Sequence, residues 1–392
     1  MTRLTLAVCL TAATLFGQTA PHWVGTWGCA PQLTEPANLP PAPGLSGNTL
    51  RQTVRVTLGG KRLRARFSNV FGNAPLIMNA VHIAVATDGG SIQTTSVKAL
   101  AFGGAASVTV PAGEALMSDP FDYDLSAMSD LAVTIYFGDT PSAVTGHPGS
   151  RATTYLQAGN AIDAESLTAP AKTAHWYSLT GLDVVTASGG ATVVVLGDSI
   201  TDGRGSTTDG NDRWTDVLAR HLHGNQDTAL ISVLNEGLGG NAVLTGGLGP
   251  PAVTRLDRDL FGQSSPRWLI VLEGVNDIGG GKNPNVADDL IAAFGKFIEQ
   301  AHARSIRAYG VPILPFGGSM YDSPAHEAAR QKVNEWIRIS GRFDAVIDMD
   351  SAVRDPASPS RLLPAYDTGD HLHLNPAGYE KMGGMIDLSL FR

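Results

Sequence analysis

A buried strand that ends in a serine turn is the feature that most constrains the fold of this chain. Residues 193–196 are four apolar, mostly β-branched residues, which is typical of a strand buried on both faces. Gly197, Asp198 and Ser199 follow directly, just before a predicted helix. Open α/β sheets bind their ligands at the carboxyl ends of the strands. The stretch therefore predicts an α/β sheet with Ser199 at its chemically active edge.

From residue 191 onward, apolar strands alternate with helical stretches. Alternation of this kind indicates a parallel sheet with helices on both faces. Five strands favour a flavodoxin-like strand order, and we predict this α/β domain over residues 186–392. The strands are predicted at 193–196, 229–234, 268–273, 306–311 and 345–349, and the helices at 212–223, 286–304, 324–340 and 376–390.

The N-terminal half has a different period. Between residues 49 and 139, short alternating segments are separated by glycine-rich turns, which predicts an all-β sandwich of jelly-roll type. We assign it to residues 21–185, with residues 140–190 as a connector. Arg62, Arg64 and Arg66 share one face of a predicted strand. This stripe is interpreted as a solvated face, with a grip on an anionic ligand as the alternative.

The N-terminal residues and the composition restrict the cellular location of the protein and the classes of partner it can have. In residues 1–20 the only charged side chain is Arg3, and an apolar run is followed by small residues, so we predict a signal peptide and a secreted or periplasmic protein. The run is too short to span a membrane, and a buried helix is the alternative. A net charge of −8 argues against a nucleic-acid partner. Without the signal peptide only Cys29 remains, which excludes an internal disulfide and predicts an inert, buried thiol.

Residues with a chemical use follow several predicted strands. Acyl transfer needs a nucleophile, a base, an orienting acid and donors for the oxyanion. Ser199 can supply the nucleophile, His373 the base and Asp370 the orienting acid. The backbone N–H groups of Ser199 and Gly240, with the side-chain amide of Asn276, can bind the oxyanion. Each residue alone has a plainer explanation as a cap, a turn or a surface group, but their coincidence at strand ends favours a hydrolase.

Four blocks of the sequence resemble the SGNH hydrolases of the GDSL lipase/esterase superfamily. They are Gly-Asp-Ser-Ile with Ser199, the 235–241 segment with Gly240, Gly-Val-Asn-Asp with Asn276, and Asp-His-Leu-His with His373. The resemblance covers residues 190 to 391. It implies a three-layer α/β/α fold and a serine mechanism with no metal or cofactor. The β-rich half resembles the extra domain of a secreted bacterial subgroup. Leu374 departs from the proline that many members have at this position.

Two histidines compete for the role of base. The family spacing, with an aspartate three residues before the base, selects His373, whereas the residues alone leave His371 open. A second interpretation makes His371, His373, Asp367 and Asp370 the ligands of a metal ion. It is less favoured because catalytic zinc sites draw ligands from several elements.

Three other carboxylates stand near the predicted site. Asp198 and Asp202 flank the serine and Asp277 follows Asn276, and we interpret all three as structural hydrogen-bond acceptors. A glycosidase built on two carboxylates would leave the serine and asparagine unexplained. The chain contains no Gly-x-Ser-x-Gly elbow and no complete nucleotide-binding glycine motif.

The predicted function is a secreted serine esterase. The resemblance and the extra domain favour short-chain, chiefly acetyl, esters on carbohydrate, so the substrate is a small-molecule or polysaccharide ester. A lysophospholipase or lipase-like acylhydrolase is the first alternative. The second is a glycan-binding protein whose hydrolase domain is weak or inactive. The sequence does not predict an oligomeric state.

Overall fold

The structure is a computed structural model that describes residues 21–186 and 189–392. The predicted signal peptide, residues 1–20, lies outside the described residues. Two kinds of sheet follow one another along the chain. The described residues before 186 pair in antiparallel sheets, and those after 190 contain a parallel sheet.

The N-terminal part is built almost entirely of short strands. Three single-turn 3-10 helices lie among them, at Pro36–Asn38, Asp88–Gly90 and Thr94–Ser96. The strands are β1 (Trp23–Gly28), β2 (Gln32–Leu33), β3 (Asn48–Arg55), β4 (Gly60–Ser68), β5 (Leu76–Val85), β6 (Lys98–Ala99), β7 (Val108–Val110), β8 (Ala115–Met117), β9 (Phe121–Leu125), β10 (Asp130–Phe137), β11 (Thr145–Pro148), β12 (Thr154–Ala158), β13 (Ala171–Thr173), β14 (His175–Tyr177) and β15 (Leu179–Val185).

Two antiparallel sheets share one apolar core. One sheet has the order β1-β15-β4-β8, with β9 also on β4, and the other has the order β13-β12-β3-β10-β5-β6, with β7 also on β5. Val54 of β3 and Val133 of β10 belong to the same buried cluster as Leu63 and Phe67 of β4. This is the arrangement of a β-sandwich. A smaller sheet, β14-β11-β2, adjoins it.

The segment predicted as a connector is part of this fold. Residues 140–190 contain β11 to β15, and β15 lies between β1 and β4 in the first sheet. The prediction was wrong because strands of three to seven residues, separated by glycine, serine and threonine, leave too few positions for a period to show.

The C-terminal part alternates strands and helices as predicted. A π-helical turn at Asp257–Phe261 and a 3-10 helix at Leu388–Phe391 add to the regular elements. The strands are β16 (Ala191–Gly197), β17 (Ile231–Gly237), β18 (Pro266–Leu272), β19 (Arg307–Gly310), β20 (Ala345–Val346), β21 (Arg354–Asp355) and β22 (Ser358–Leu362), and the helices are α1 (Ser199–Asp202), α2 (Trp214–Gly224), α3 (Ala252–Leu256), α4 (Val275–Gly280), α5 (Val286–His302), α6 (Pro324–Ile339), α7 (Met349–Val353) and α8 (Pro376–Gly384). The predicted last helix, 376–390, was too long, since α8 ends at the glycine pair 383–384.

The parallel sheet carries helices on both faces. Its order is β17-β16-β18-β19-β20, so the first and second strands exchange places as in flavodoxin-like sheets. Val194 of β16 belongs to the buried cluster that holds Phe294 of α5, whereas Val195 belongs to the cluster that holds Trp214 of α2. Successive side chains of a strand point to opposite faces. The run of apolar residues in β16 is therefore explained by burial on both sides.

The sandwich packs directly against the parallel sheet. Strand β1 lies against β17, and two glycines allow the close approach. A Cβ atom on Gly25 would lie 2.8 Å from Leu234, and one on Gly28 would lie 2.7 Å from the carboxylate of Glu236. A side chain at either position would require Leu234 or Glu236 to move.

The arginine stripe of β4 lies mostly in this interface, which corrects the prediction of a solvated face. Arg64 binds Asp183 at 2.8 Å and reaches Ser264 of the C-terminal part. Arg66 donates to the carbonyl of Gly262 at 2.9 Å. Arg62 remains exposed. The alternation showed that the three share a face but could not show what covers it.

Candidate active site

Ser199 stands in a sharp strand-to-helix turn. β16 ends at Gly197, and Asp198 caps α1 by accepting a hydrogen bond from the backbone N–H of Ile200 at 2.9 Å. Gly203 ends the helix with φ +101°, a conformation that suits glycine, and donates its N–H to the carbonyl of Ser199. Ser199 is therefore fixed at the carboxyl edge of the sheet, as its position in the sequence predicts. Burial raises the pKa of Asp198 to about 7.

Ser199, His373 and Asp370 form one continuous chain of hydrogen bonds. The Oγ atom of Ser199 lies 2.8 Å from Nε2 of His373, and Nδ1 of the same ring lies 2.7 Å from a carboxylate oxygen of Asp370. An ionised carboxylate can only accept, so Nδ1 carries the proton. Nε2 then presents its lone pair to the serine hydroxyl, which is the arrangement a general base requires.

The loop before α8 holds Asp370 ionised. Its second carboxylate oxygen accepts the backbone N–H groups of Leu372 and His373, at 3.0 and 2.8 Å, and the hydroxyl of Thr368 at 3.0 Å. Partial burial by itself would raise the pKa of Asp370. The hydrogen bonds from His373 and Leu372 outweigh burial and hold that pKa well below its usual range.

The same surroundings keep the ring of His373 neutral. Burial is the largest cause that lowers the pKa of His373, and the positive charges of Arg204 and Arg151 lower it further. The hydrogen bond to Asp370 and the charge of that carboxylate act in the opposite direction without reversing the result. A neutral ring is the form that can accept a proton from Ser199.

The three predicted oxyanion donors lie at the cleft that contains the hydroxyl of Ser199. Gly240 has φ +71°, and among the described residues its N–H finds no hydrogen-bond acceptor. The side-chain amide of Asn276 donates to the carbonyl of Asn241 at 2.8 Å, and its oxygen accepts the hydroxyl of Tyr321 at 3.0 Å. Because a carbonyl can only accept, Asn241 fixes the amide nitrogen of Asn276 as the donor, and the hydroxyl of Tyr321 then donates to the amide oxygen. Ser199, Gly240 and Asn276 all line one cleft.

The two histidines of the C-terminal loop have different partners. His373 faces Ser199, whereas Nδ1 of His371 pairs with the carboxylate of Asp367, and about half of the His371 side chain is exposed. The structure thus separates the four side chains of the metal interpretation into two histidine–aspartate pairs. Within residues 21–186 and 189–392, no three His, Cys, Asp or Glu side chains are grouped so that they could hold a metal ion.

The flanking carboxylates act as hydrogen-bond acceptors, in agreement with their interpretation as structural residues. Asp277 accepts the backbone N–H groups of Val243 and Leu244 at 2.8 and 2.9 Å, which ties α4 to the loop after β17. Asp202 is bound by His147 of the sandwich at 2.9 Å.

A buried arginine joins the ends of the central strands, and sequence reasoning missed it. Arg255 is 1% exposed and donates to the carbonyls of Gly197 at the end of β16 and Glu236 near the end of β17. It also pairs with Asp259 and with Glu273, which follows β18, at 3.0 and 3.1 Å. The only signal in the sequence is a single arginine inside a short helical stretch, which is too weak to suggest this role.

The cleft at Ser199 is shared between the two parts of the chain. It has a volume of about 540 Å³, and the sandwich contributes polar side chains to it. A second groove of about 970 Å³ adjoins it, and both are bordered by Gly240, Asn276 and Tyr321. The polar side chains from the sandwich are Gln32, Glu35, Asn38, Arg151 and His175.

The sequence of the C-terminal part matches a known family. Residues 195–381 match the sequence model of the GDSL-like lipase/acylhydrolase family, and this range includes Ser199, Gly240, Asn276, Asp370 and His373. The chain carries a domain of this family. It is therefore a carboxylic ester hydrolase. Helices long and apolar enough to cross a membrane do not occur among the described residues.

Several solved structures of hydrolases are similar to about half of the chain. The match to an aryl esterase of M. smegmatis has 18% sequence identity and a TM-score of 0.39, and it covers 50% of this chain and 95% of the esterase chain. A GDSL-like lipase of Bacteroides thetaiotaomicron is 19% identical over 51% and 87%, with a TM-score of 0.37. A lipolytic G-D-S-L protein of Veillonella parvula is 18% identical over 50% and 95%, with a TM-score of 0.38. Among curated proteins, none matches.

Proposed function

We propose that this enzyme is a secreted or periplasmic serine esterase that removes short-chain, chiefly acetyl, groups from carbohydrate. The observation that carries the proposal is the unbroken hydrogen-bond chain from Asp370 through His373 to Ser199. Its orientation gives the serine a base and gives the base an orienting acid. Export is proposed from the composition of residues 1–20.

Acylation begins with attack of Ser199 Oγ on the ester carbonyl carbon. His373 Nε2 takes the hydroxyl proton, and Asp370 stabilises the imidazolium that forms. The carbonyl oxygen becomes an oxyanion bound by the N–H groups of Ser199 and Gly240 and the amide of Asn276. One such donor typically contributes about 10²–10³ in turnover. The tetrahedral species collapses as His373 returns the proton to the leaving alcohol oxygen.

Deacylation reverses the roles of the same groups. A water molecule attacks the acyl carbon of the ester on Ser199 while His373 takes one of its protons. The bond between the acyl carbon and Ser199 Oγ then breaks, and His373 gives the proton back to the serine oxygen. The carboxylic acid leaves, and the hydrogen-bonded site is restored.

The leaving-group side of the site is polar, which supports a carbohydrate alcohol. His373 must lie beside the departing oxygen, and the cleft that His373 lines is also lined by side chains of the sandwich. Gln32, Glu35 and Asn38 stand there with Arg151 and His175. Hydroxyl-rich groups need such donors and acceptors, because a polar group that loses water without a replacement partner costs binding free energy.

A second candidate, a hydrolase of longer acyl chains, is favoured by the adjoining groove. Beyond Gly240 and Asn276 it offers about 970 Å³, far more than an acetyl group fills. Its wall includes the apolar side chains Leu244, Leu248, Val253, Val286 and Ala293. Burial of acyl carbons there would contribute about 0.8 kcal/mol for each CH₂.

An acyl-length series separates the two candidates. The rate of hydrolysis of p-nitrophenyl esters from C2 to C16 is measured with the natural chain, with Ser199→Ala and with Ser126→Ala, an exposed serine of the sandwich. We expect hydrolysis that is highest at C2, is abolished in Ser199→Ala and is unchanged in Ser126→Ala. A maximum at long chains would transfer the proposal to the second candidate. Equal rates in the natural chain and Ser199→Ala for every ester would refute both.

A further inference from the structure

Arg151 is held at the catalytic cleft in an unusual way. It follows β11 in the sandwich and has φ +52°, a left-handed conformation that a side chain disfavours. Its Nε atom is buried and has no hydrogen-bond partner among the described residues. Its guanidinium lines the cleft that contains Ser199. Backbone strain of this kind clusters at ligand-binding positions.

The carboxylate beside Arg151 is hydrogen-bonded to a histidine. Nη2 of Arg151 lies 3.5 Å from Asp202, which binds Nε2 of His147 at 2.9 Å. Nδ1 of His147 lies 2.8 Å from the carbonyl of Ala30 and must carry a proton, since a carbonyl only accepts. Asp202 Oδ2, the oxygen nearest Arg151, has no hydrogen-bond partner among the described residues, so the 3.5 Å contact is not a hydrogen bond. The guanidinium of Arg151 therefore keeps donors for a ligand.

Arg204 adds a second free guanidinium to the same cleft. It stands two residues after the end of α1, and its carbonyl accepts the hydroxyl of Tyr379 at 2.6 Å. Its side chain lines the cleft and forms no ion pair in the described part of the chain. The other two carboxylates that line the cleft are held by hydrogen bonds, and neither lies within ion-pair distance of Arg151 or Arg204. Glu35 accepts the side-chain amides of Gln32 and Asn38, and Asp370 accepts His373.

We propose that Arg151 and Arg204 bind an anionic substituent, a carboxylate or a phosphate, on the alcohol side of the ester. Guanidinium groups suit both anions because they donate in a planar fork. The alcohol side is favoured because both side chains share the cleft with His373, which protonates the leaving oxygen. The proposal rests on the proposed esterase function and narrows its substrate to an acidic sugar or similar acidic alcohol.

The test compares acetyl esters that differ only in charge. The ratio of kcat/KM for 4-acetoxybenzoate to that for its neutral analogue 4-acetoxybenzamide is measured, and 4-acetoxyphenyl phosphate distinguishes phosphate from carboxylate. We expect the natural chain to prefer an anion, and Arg151→Gln and Arg204→Gln each to lower the ratio about tenfold, the value of one charge-assisted hydrogen bond. Both kcat/KM values in a ratio are measured with the same variant. A change in the reactivity of His373 affects the two values equally and cancels in the ratio.

The matched control is Arg62→Gln. This substitution removes the same charge at an exposed position of the sandwich, away from the cleft. Its ratio is expected to equal that of the natural chain. A ratio that the two cleft variants leave unchanged, or no preference for either anion, overturns the proposal.

A binding measurement keeps this result separate from the esterase claim. Calorimetry with the Ser199→Ala protein compares the products 4-hydroxybenzoate, 4-hydroxyphenyl phosphate and 4-hydroxybenzamide. We expect one of the anions to bind more tightly than the amide, and the difference to vanish in the double variant with Arg151→Gln. If no ester is hydrolysed but this difference appears, the esterase function fails and the arginine site stands. If neither anion binds more tightly than the amide, the arginine site is refuted.

Discussion

At the scale of single residues, the site depends on the protonation states of two neighbours. Asp370 stays ionised because His373 and two backbone N–H groups donate to it, and this charge holds the ring in one tautomer. Ser199 and His373 are themselves buried, at 7% and 4% exposure. A buried ring resists the second proton that would disable it as a base.

The pH dependence of hydrolysis shows directly at which pH His373 gains the second proton. The neutral form of His373 is active, and burial lowers its pKa below the ordinary value of 6.5. As the pH falls, kcat/KM for p-nitrophenyl acetate should therefore stay high until the pH is below 6.5. Removing a positive charge by Arg204→Gln should raise the pKa and move this midpoint to higher pH. A midpoint above 6.5 in the natural chain, or a downward move in the variant, would contradict the account.

The convergence of the proposed catalytic residues could be predicted from the sequence, but the residues that support them could not. Ser199, Gly240, Asn276 and the 370–373 loop follow strands or stand in a compact motif, so their positions converge once a parallel sheet is assumed. Tyr321, which donates to the amide oxygen of Asn276, comes from a loop that carries no recognisable motif. Its role depends on where α4 and the loop before α6 meet, and local sequence does not contain that information.

At the scale of elements, the strand ends are tied by one arginine. Arg255 connects β16, β17 and the residue after β18 through buried carbonyls and carboxylates. Glu273 is fully buried, and its pKa is raised by burial and by the charge of Asp198 against the opposing charge of Arg255. Arg255 therefore stabilises the edge of the sheet that carries Ser199.

Loss of the Arg255 side chain should destabilise the fold. Arg255→Met would leave Glu273 buried without its partner and Asp259 with Arg258 alone, and loss of one member of a buried ion pair typically costs about 3–5 kcal/mol in the free energy of unfolding. The matched control is Arg220→Met, because Arg220 forms an exposed pair with Glu380 that is worth less than about 1 kcal/mol. Urea unfolding of both variants checks this, and equal midpoints would show that Arg255 does not stabilise this edge.

The elements themselves were predictable to different degrees. β16 and α5 follow from long, strongly patterned stretches, and their observed bounds differ from the predicted ones by at most two residues. The strands β11 to β15 were missed because each is short and its burial comes from neighbours distant in sequence. Helix and strand periods reveal long elements, whereas pairing between short ones is a property of the tertiary fold.

At the scale of the whole molecule, the sandwich and the hydrolase domain build one site. The sandwich contributes Arg151 to the cleft and His147 to the pair with Asp202 at the end of the nucleophile helix α1. Arg64 and Arg66 also join the two parts, through hydrogen bonds to Ser264 and Gly262. The sequence showed two parts with different periods but not that they meet at the catalytic cleft, since that contact joins residues far apart along the chain.

The central claim is that Ser199 is a nucleophile activated by His373. The most direct measurement is mass spectrometry of peptides after treatment with a serine-reactive fluorophosphonate. We expect a single adduct on the peptide that contains Ser199, absent in Ser199→Ala, lost or greatly slowed in His373→Ala, and retained in His371→Asn, where asparagine tolerates the positive φ of that position. An adduct on another residue, or equal loss in the two histidine variants, would contradict the claim.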